Sequence, residues 1–269
     1  MTRLPIRLAV ALVIASALPL LWLILASLTP EARLFESAAA WRGPLVFDHY
    51  RALFDERDFW IPIRNSMIVA GATTIFAVTI GGACAYALAR MQFRGRYAIL
   101  AFVLAVSMFP QISLVAPLYL LLREAGLINT YPGLVLPYLT FAMPLTIWLL
   151  VGYFRHLPPD LEEAAAMDGA GRLRTLVEII APLASPGIAT TAILTFVYCW
   201  NEFLFALSFT LGPERHTVPV AIALFRGQYQ VPWGQILAAA VVASAPVVVL
   251  VLVFQRRIVQ GLTSGAVKG

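Results

Sequence analysis

The chain is 269 residues long, 61% hydrophobic and only 12% charged, where an ordinary soluble domain is about 45–50% apolar and about 25% charged. That composition excludes a soluble enzyme, a disordered tail and a disulfide scaffold, and makes the lipid bilayer the expected solvent. The net charge of +5 does not indicate a nucleic-acid surface, because the basic residues stand between long apolar runs instead of gathering on one polar face.

A helix needs about 20 apolar residues to cross the hydrocarbon, and six stretches free of Asp, Glu, Lys and Arg meet that length. The stretches are 8–30, 65–89, 97–122, 125–154, 179–201 and 227–255, and they predict span one at 8–28, span two at 65–89, span three at 97–122, span four at 132–154, span five at 187–210, running on past Glu202, and span six at 234–256. Nothing is left over for a soluble domain, so residues 1–269 read as one transmembrane domain, all-α and polytopic. Span one follows Arg3 and Arg7 but is longer than a signal-peptide core, and is taken as a retained helix. Arg90, Arg94 and Arg96 after span two, and Arg256, Arg257 and Lys268 at the end, place both termini on the cytoplasmic side. Prolines within the spans, among them Pro19, Pro110, Pro117, Pro137, Pro144 and Pro246, predict kinks that neighbouring helices must satisfy, several of them real bends. Cys84 and Cys199 lie inside apolar runs without a metal or redox partner and read as packing thiols. No histidine has a metal-ligand neighbour at useful spacing.

In the first outer loop, Asp48 is a candidate N-cap for a short amphipathic helix carrying Tyr50, Leu53 and Phe54, with Trp60 placed as an interfacial anchor. The cytoplasmic segment 155–186 is the longest on its side. After Pro158-Pro159, Asp160 and Glu163 have capping-box spacing. Leu161, Ala164, Ala165 and Asp168 then share one helix face, and Gly169 supplies a left-handed end. A second helical stretch runs from Arg172 to about Ile180 and stops before Pro182. Small side chains on two short helices across the membrane face suit close approach of a soluble partner. In span five, Glu202 would lie about 22 Å along a helix from Gly187, deep enough to require a wet cavity or a polar partner. The segment 211–233 is too long for a tight turn, and Tyr86, Asn129 and Tyr138 read as packing or interfacial groups. The chain lacks a Gly-x-x-x-x-Gly-Lys-Ser/Thr loop, so it binds no ATP of its own. Apart from Glu202 it carries none of the ionisable relays of a stand-alone secondary transporter, which stays as the less favoured alternative, and none of the paired groups of an intramembrane enzyme.

The run Glu163-Ala164-Ala165, three residues, Gly169, nine residues, Ile179, one residue, Pro182 resembles the EAA loop of the membrane subunits of bacterial ATP-binding-cassette importers. Asp168-Gly169-Ala170 matches as well, and Ala181 departs from the usual leucine. Asn65-Ser66, the run from Ala85 to Arg90, Trp200-Asn201-Glu202-Phe203 and the tail from Gly261 to Gly269 resemble the carbohydrate branch, specifically the maltose-type permease subunit. That resemblance implies the type I importer permease fold and a place in a bacterial or archaeal cytoplasmic membrane, surrounded by lipid. It implies a pore shared with a second homologous permease subunit, two copies of an ATPase that holds ATP and Mg, and an extracytoplasmic sugar-binding protein. Glu163, Ala164, Ala165, Asp168, Gly169, Ala170 and Pro182 would form the ATPase-docking loop. The tail 257–269, with Gly265 and Lys268, would reach the ATPase interface. For Trp200, Asn201, Glu202 and Phe203 two readings stand: they line the sugar path, with Trp200 stacking on the ring and Asn201 and Glu202 bonding its hydroxyls or lining the outer gate, or the polar pair Asn201 and Glu202 bonds to a neighbouring helix and never meets substrate. The cargo is a sugar or a related solute such as a glycerol phosphate.

Overall fold

The computed structural model describes residues 3–36, 43–225 and 231–264, and among them all regular structure is helical. Four helices are long and apolar enough to cross a membrane: α1 (Arg3–Ser27), α3 (Trp60–Arg90), α6 (Tyr131–Arg155) and α13 (Trp233–Ser264). The short α2 (Asp48–Asp55) precedes α3. It buries Leu53 as expected, but Phe47 takes the cap position and the Asp48 side chain makes no capping bond. Asp48 is already the first helical residue, where a carboxylate acts through the helix dipole.

Two expected spans are broken. Residues 97–122 divide into α4 (Arg96–Ser107) and α5 (Gln111–Glu124), which meet at 92°. Pro110 stands at the corner; it has no N–H to continue the ladder and disfavours the helical conformation at Phe109. Residues 187–210 divide into α10 (Ser185–Trp200) and α11 (Leu204–Phe209). Two boundaries also move: α3 starts at Trp60, and α13 continues to Ser264 through residues expected to be tail. Gly265 and Lys268 lie outside the described residues.

Bonds at the helix ends fix the topology. Tyr131 at the start of α6 bonds to Asn65 near the start of α3, and Arg90 at the end of α3 bonds to the carbonyl of Phe154 near the end of α6. The two helices therefore run parallel. Their contact is lined by small residues, among them Ala70, Ala77, Gly81, Gly82 and Ala85. A Cβ added at Gly81 would already touch Thr146 and Ile147 at 3.4 Å. The α4–α5 pair returns the chain between them. We call the end that carries residues 155–186 basal and the opposite end apical. Glu31 bonds the Trp233 and Gly234 amides at 2.9 and 2.8 Å, and Ser27 bonds Tyr50, so α1 ends and α13 begins at the apical end. The other ends of α1 and α13 therefore share the basal side with residues 155–186.

One apolar cluster gathers Tyr138, Phe141, Phe196, Trp200, Phe205 and Phe209 around α3 and α6; a second, basal cluster joins Tyr86, Leu150, Phe154, Ile180 and Ala184. Cys199 is buried and Cys84 half-buried, both as free thiols. α6 and α10 approach closely at Gly187, where an added Cβ would fall 2.5 Å from the Tyr153 ring. Gly187→Ala is expected to cost about 1–3 kcal/mol by overpacking, measured as a lower thermal midpoint in detergent. Gly152→Ala, with nothing within 4 Å of the new methyl, should leave the midpoint nearly unchanged.

Candidate functional site

The basal segment opens with α7 (Asp160–Met167), which is capped by Pro159 with no side-chain bond, so the expected Asp160/Glu163 box does not form. The proline has moved the helix start one residue back, leaving Asp160, Glu162 and Glu163 as first-turn acids against the helix dipole. The other end matches expectation. Gly169 has φ +77°, its N–H bonds to the Ala166 carbonyl, and the Ala170 N–H reaches back to Ala165 at 2.9 Å, a Schellman closure. After α8 (Arg172–Thr175) the chain passes through a π-helical turn (Leu176–Ile180) into α9 (Ala181–Leu183). Pro182 does not stop the helix, because it falls where a new turn begins and no N–H is needed. The bend comes at Ala184, where Arg172–Leu183 meets α10 at 84°.

This segment has two unlike faces. Ala165, Ile180 and Ala184 are buried, and Leu161 and Leu176 pack on the basal cluster. Glu163, Ala164, Asp168, Gly169 and Pro182 are exposed, and Ala170 is half-buried. Ala164 and Ala165, expected on one face, are thus divided: they are adjacent residues, 100° apart on the helix. Met167, Leu173 and Val177 stand beside the exposed set at 88%, 73% and 59% exposure, an apolar surface unusual for a solvent-facing segment.

The residue to which sequence reasoning gave no contact is Arg90, taken as a topology-setting charge and as the end of a family-like run. Its side chain is 11% exposed and ion-paired with Glu162 of α7. Nη1 donates to the carbonyls of Leu157 (2.8 Å) and Phe154 (3.4 Å), and Nη2 to that of Pro158 (2.9 Å). Those carbonyls belong to the end of α6 and the residues after it, which lack helical partners. One guanidinium thereby joins α3, α6 and α7. Arg90 and Glu162 also line a cleft of about 640 Å³ between the basal segment and residues 91–96, where Arg96 and Arg172 bring further positive charge. The exposed Arg174–Glu178 pair (2.8 Å) spans one helical turn and contributes little.

Trp200, Asn201, Glu202 and Phe203 separate into different roles. Trp200 is buried, stacks on Phe196 and donates from Nε1 to the Ala243 carbonyl at 3.2 Å. With exposed Asn201 it lines an apolar cleft of about 540 Å³ against α13. Phe203 is exposed. Glu202 does not project from a continuous helix, since α10 ends at Trp200. It is 8% exposed, and its two oxygens accept from the amides of Phe205 (2.8 Å) and Ala206 (3.1 Å), capping α11. Among the described residues no group of His, Cys, Asp and Glu is set to hold a metal ion.

At the apical end, Asn65 is fully buried and its Nδ2 donates to the carbonyls of Glu214 (3.0 Å) and His216 (2.9 Å). Its Oδ1 accepts from Tyr131 Oη at 2.7 Å. Ser66 Oγ accepts from the Val218 amide at the start of α12 (Val218–Ala223). Asn129, left-handed at φ 61°, holds the Leu211 amide at 3.1 Å. The loop 211–217 is thus fastened mainly to α3 and the start of α6. The Glu214 carboxyl is held below the usual carboxylate range by its own backbone N–H and the Asn129 amide. Burial pushes the His216 imidazole down, partly offset by Glu214.

A family described as "Binding-protein-dependent transport system inner membrane component" matches residues 77–264. The trehalose transport system permease protein SugB of Mycobacterium tuberculosis is 46% identical over 254 residues, covering 94% of this chain and 92% of that one. The trehalose/maltose transport system permease protein MalG of Thermococcus litoralis is 42% identical over 263 residues, covering 97% and 95%. Among solved structures, a chain of a bacterial ABC transporter involved in import of the polysaccharide alginate superposes with TM-score 0.76 at 23% identity, over 94% of this chain and 95% of that one. At that identity the likeness concerns the fold.

Acid should loosen the 211–217 loop. His216, depressed when folded, contributes fully above its unfolded pKa of about 6.5 and loses that contribution as pH falls below it. The depressed Glu214 acts at lower pH, its contribution present above about 4.3 and lost as pH falls through the folded value. Hydrogen-exchange protection of the loop, corrected for intrinsic rates, should therefore decline in two stages. His216→Gln should remove the first and spare the second.

Proposed function

The chain belongs to the binding-protein-dependent transport system inner membrane component family, and on that premise we propose that it is the membrane-spanning permease subunit of an ATP-binding-cassette importer for a sugar of the trehalose and maltose kind. It is a multi-pass membrane protein without catalysis of its own. ATP and Mg are held by two copies of a partner ATPase, a second homologous permease completes the pore, and an extracytoplasmic binding protein delivers the sugar. The basal side faces the cytoplasm of a bacterial or archaeal cell.

The observation that carries this reading is the two-faced basal segment. Its buried face, through Ala165 and Ile180, is fixed to the bundle; its exposed face offers Ala164, Met167, Leu173 and Val177 without any covering element among the described residues. Small side chains at Ala164, Gly169 and Ala170 let a partner's backbone approach, and Glu163 and Asp168 supply charge at the rim. The ATPase docks there through the residues from Glu163 to Ala170, with Pro182 at the far end of the segment. Closure of the ATPase pair on ATP then moves the segment, and the 84° junction at Ala184 turns that displacement into a tilt of α10. The upper end of α10 carries Trp200 and Asn201 at the apolar cleft, so the tilt reshapes this chain's half of the sugar path. Gly265 and Lys268 of the tail add contacts to the ATPase. We take Trp200 and Asn201, at the apolar cleft, as this chain's lining of the sugar path, and Glu202 as the cap that holds α11 in place.

Gly169→Asp tests the docking surface: an added Cβ meets nothing within 4 Å, and although φ +77° strains any side chain, Asp tolerates that region better than most residues. The variant should insert normally, lose the ATPase on affinity purification and take up labelled trehalose at under a tenth of the wild-type rate. Retained ATPase with wild-type uptake would overturn the docking role.

A further inference from the structure

The four helices of 25 residues or more differ in stiffness. Pro19 interrupts α1, Pro137 and Pro144 interrupt α6, and Pro246 interrupts α13, whereas α3 carries no proline beyond Pro62 in its first turn. Its weakest point, Gly81-Gly82, is braced by Thr146, Ile147 and Leu150 of α6 at 3.4 to 3.6 Å from where a Cβ would stand. A helix without proline or a register shift bends little.

This one unbroken helix is also fastened to a separate segment at each end. Arg90, its last residue, makes five hydrogen bonds that hold Glu162 in the first turn of α7 and three carbonyls from Phe154 to Pro158. Near its start, buried Asn65 holds the Glu214 and His216 carbonyls, and Ser66 holds the Val218 amide. The two fastenings are about 37 Å apart along the axis at about 1.5 Å per residue. The other route from the basal segment redirects displacement at the π-helical turn and the 84° bend at Ala184 into a tilt of α10, and that helix ends at Trp200, short of residues 211–217.

We infer that α3 is the strut through which movement of the basal segment reaches the apical 211–217 loop, with Arg90 and Asn65 as the positioning residues at its two ends. The inference rests on the docking role proposed for residues 163–170. ATP-driven displacement of α7 enters α3 at the Arg90–Glu162 pair, and α3 carries it to the loop nearest the extracytoplasmic side. The reverse also holds: a sugar-loaded binding protein pressing on 211–217 signals through Asn65 and Arg90 to the ATPase, because coupling between two sites is reciprocal.

The test uses the complete complex in proteoliposomes, with the binding protein of the same system and trehalose as the probe. Three quantities are read: ATPase subunit retained on purification, hydrolysis without binding protein, and hydrolysis with loaded binding protein. Arg90→Gln and Asn65→Ala should each retain the ATPase and lower the ratio of stimulated to unstimulated hydrolysis at least fivefold. The double variant should fall no further than the lower single, since a chain broken once is broken. Arg90→Lys, which keeps the charge but not the forked donor geometry, should give an intermediate ratio and serves if Arg90→Gln fails to insert. An unchanged ratio in either single variant, a double variant equal to the product of the singles, or loss of the ATPase in Arg90→Gln would overturn the strut. Failure of the docking reading shows separately, as Gly169→Asp retaining ATPase while the wild-type ratio is normal.

Discussion

A backbone carbonyl or amide released in an apolar environment has no water to turn to, and that constraint decides where the polar side chains at the helix ends of this chain sit. Breaking α10 at Trp200 frees the first amides of α11, and Glu202 accepts from two of them. Ending α6 at Arg155 frees carbonyls that Arg90 answers. Starting α13 at Trp233 frees amides that Glu31 takes up from the loop after α1. Asn65 does the same for two carbonyls of the apical loop. An orphaned buried group costs about 1–3 kcal/mol, so these few polar residues stabilise the corners without which the apolar helices could not be joined.

The second organising feature is the parallel contact of α3 with α6. Hydrophobic attraction between helices is weak when lipid is as apolar as the partner, so close approach of small residues supplies the contact. Gly81, Gly82 and the alanines of α3 permit it. Parallel neighbours cannot be joined by a short hairpin, and the bent α4–α5 pair carries the chain back, with Pro110 at its corner. The prolines of the chain are therefore unequally placed: those at Pro110, Pro159 and Pro182 sit at corners or helix starts where no donor is needed, while α3 is nearly free of them.

Function is distributed accordingly. The polar cleft and the uncovered Met167, Leu173 and Val177 lie basally, the apolar cleft with Trp200 and Asn201 lies beside α13, and the fastened loop lies apically. The three regions are linked by helices that are either broken, as on the α10 side, or continuous, as in α3. Where displacement becomes a tilt beside the apolar cleft and where it is carried to the apical loop follows from that difference.

The amino-acid sequence by itself determined the solvent, the all-α class, the approximate placement of the spans and the two-helix basal segment, because each depends on composition or on spacing within a few turns. Gly169 was readable for the same reason: a left-handed residue closing a helix is a local demand. The corners were legible only in part: Pro110 marks a kink in the third span but not a 92° break. Whether 97–122 is one rod or two, and whether Pro182 ends a helix or starts a turn, depends on what neighbouring elements can satisfy. Arg90 and Glu162 are 72 residues apart and Asn65 and Glu214 are 149 apart, so no pattern along the chain pairs them. The same holds for Ala164 and Ala165, adjacent in sequence yet divided between an exposed and a buried face once α7 was set against Ile180 and Ala184. Only the tertiary structure decided these, because it alone brings a donor on one helix to a carbonyl freed at the end of another.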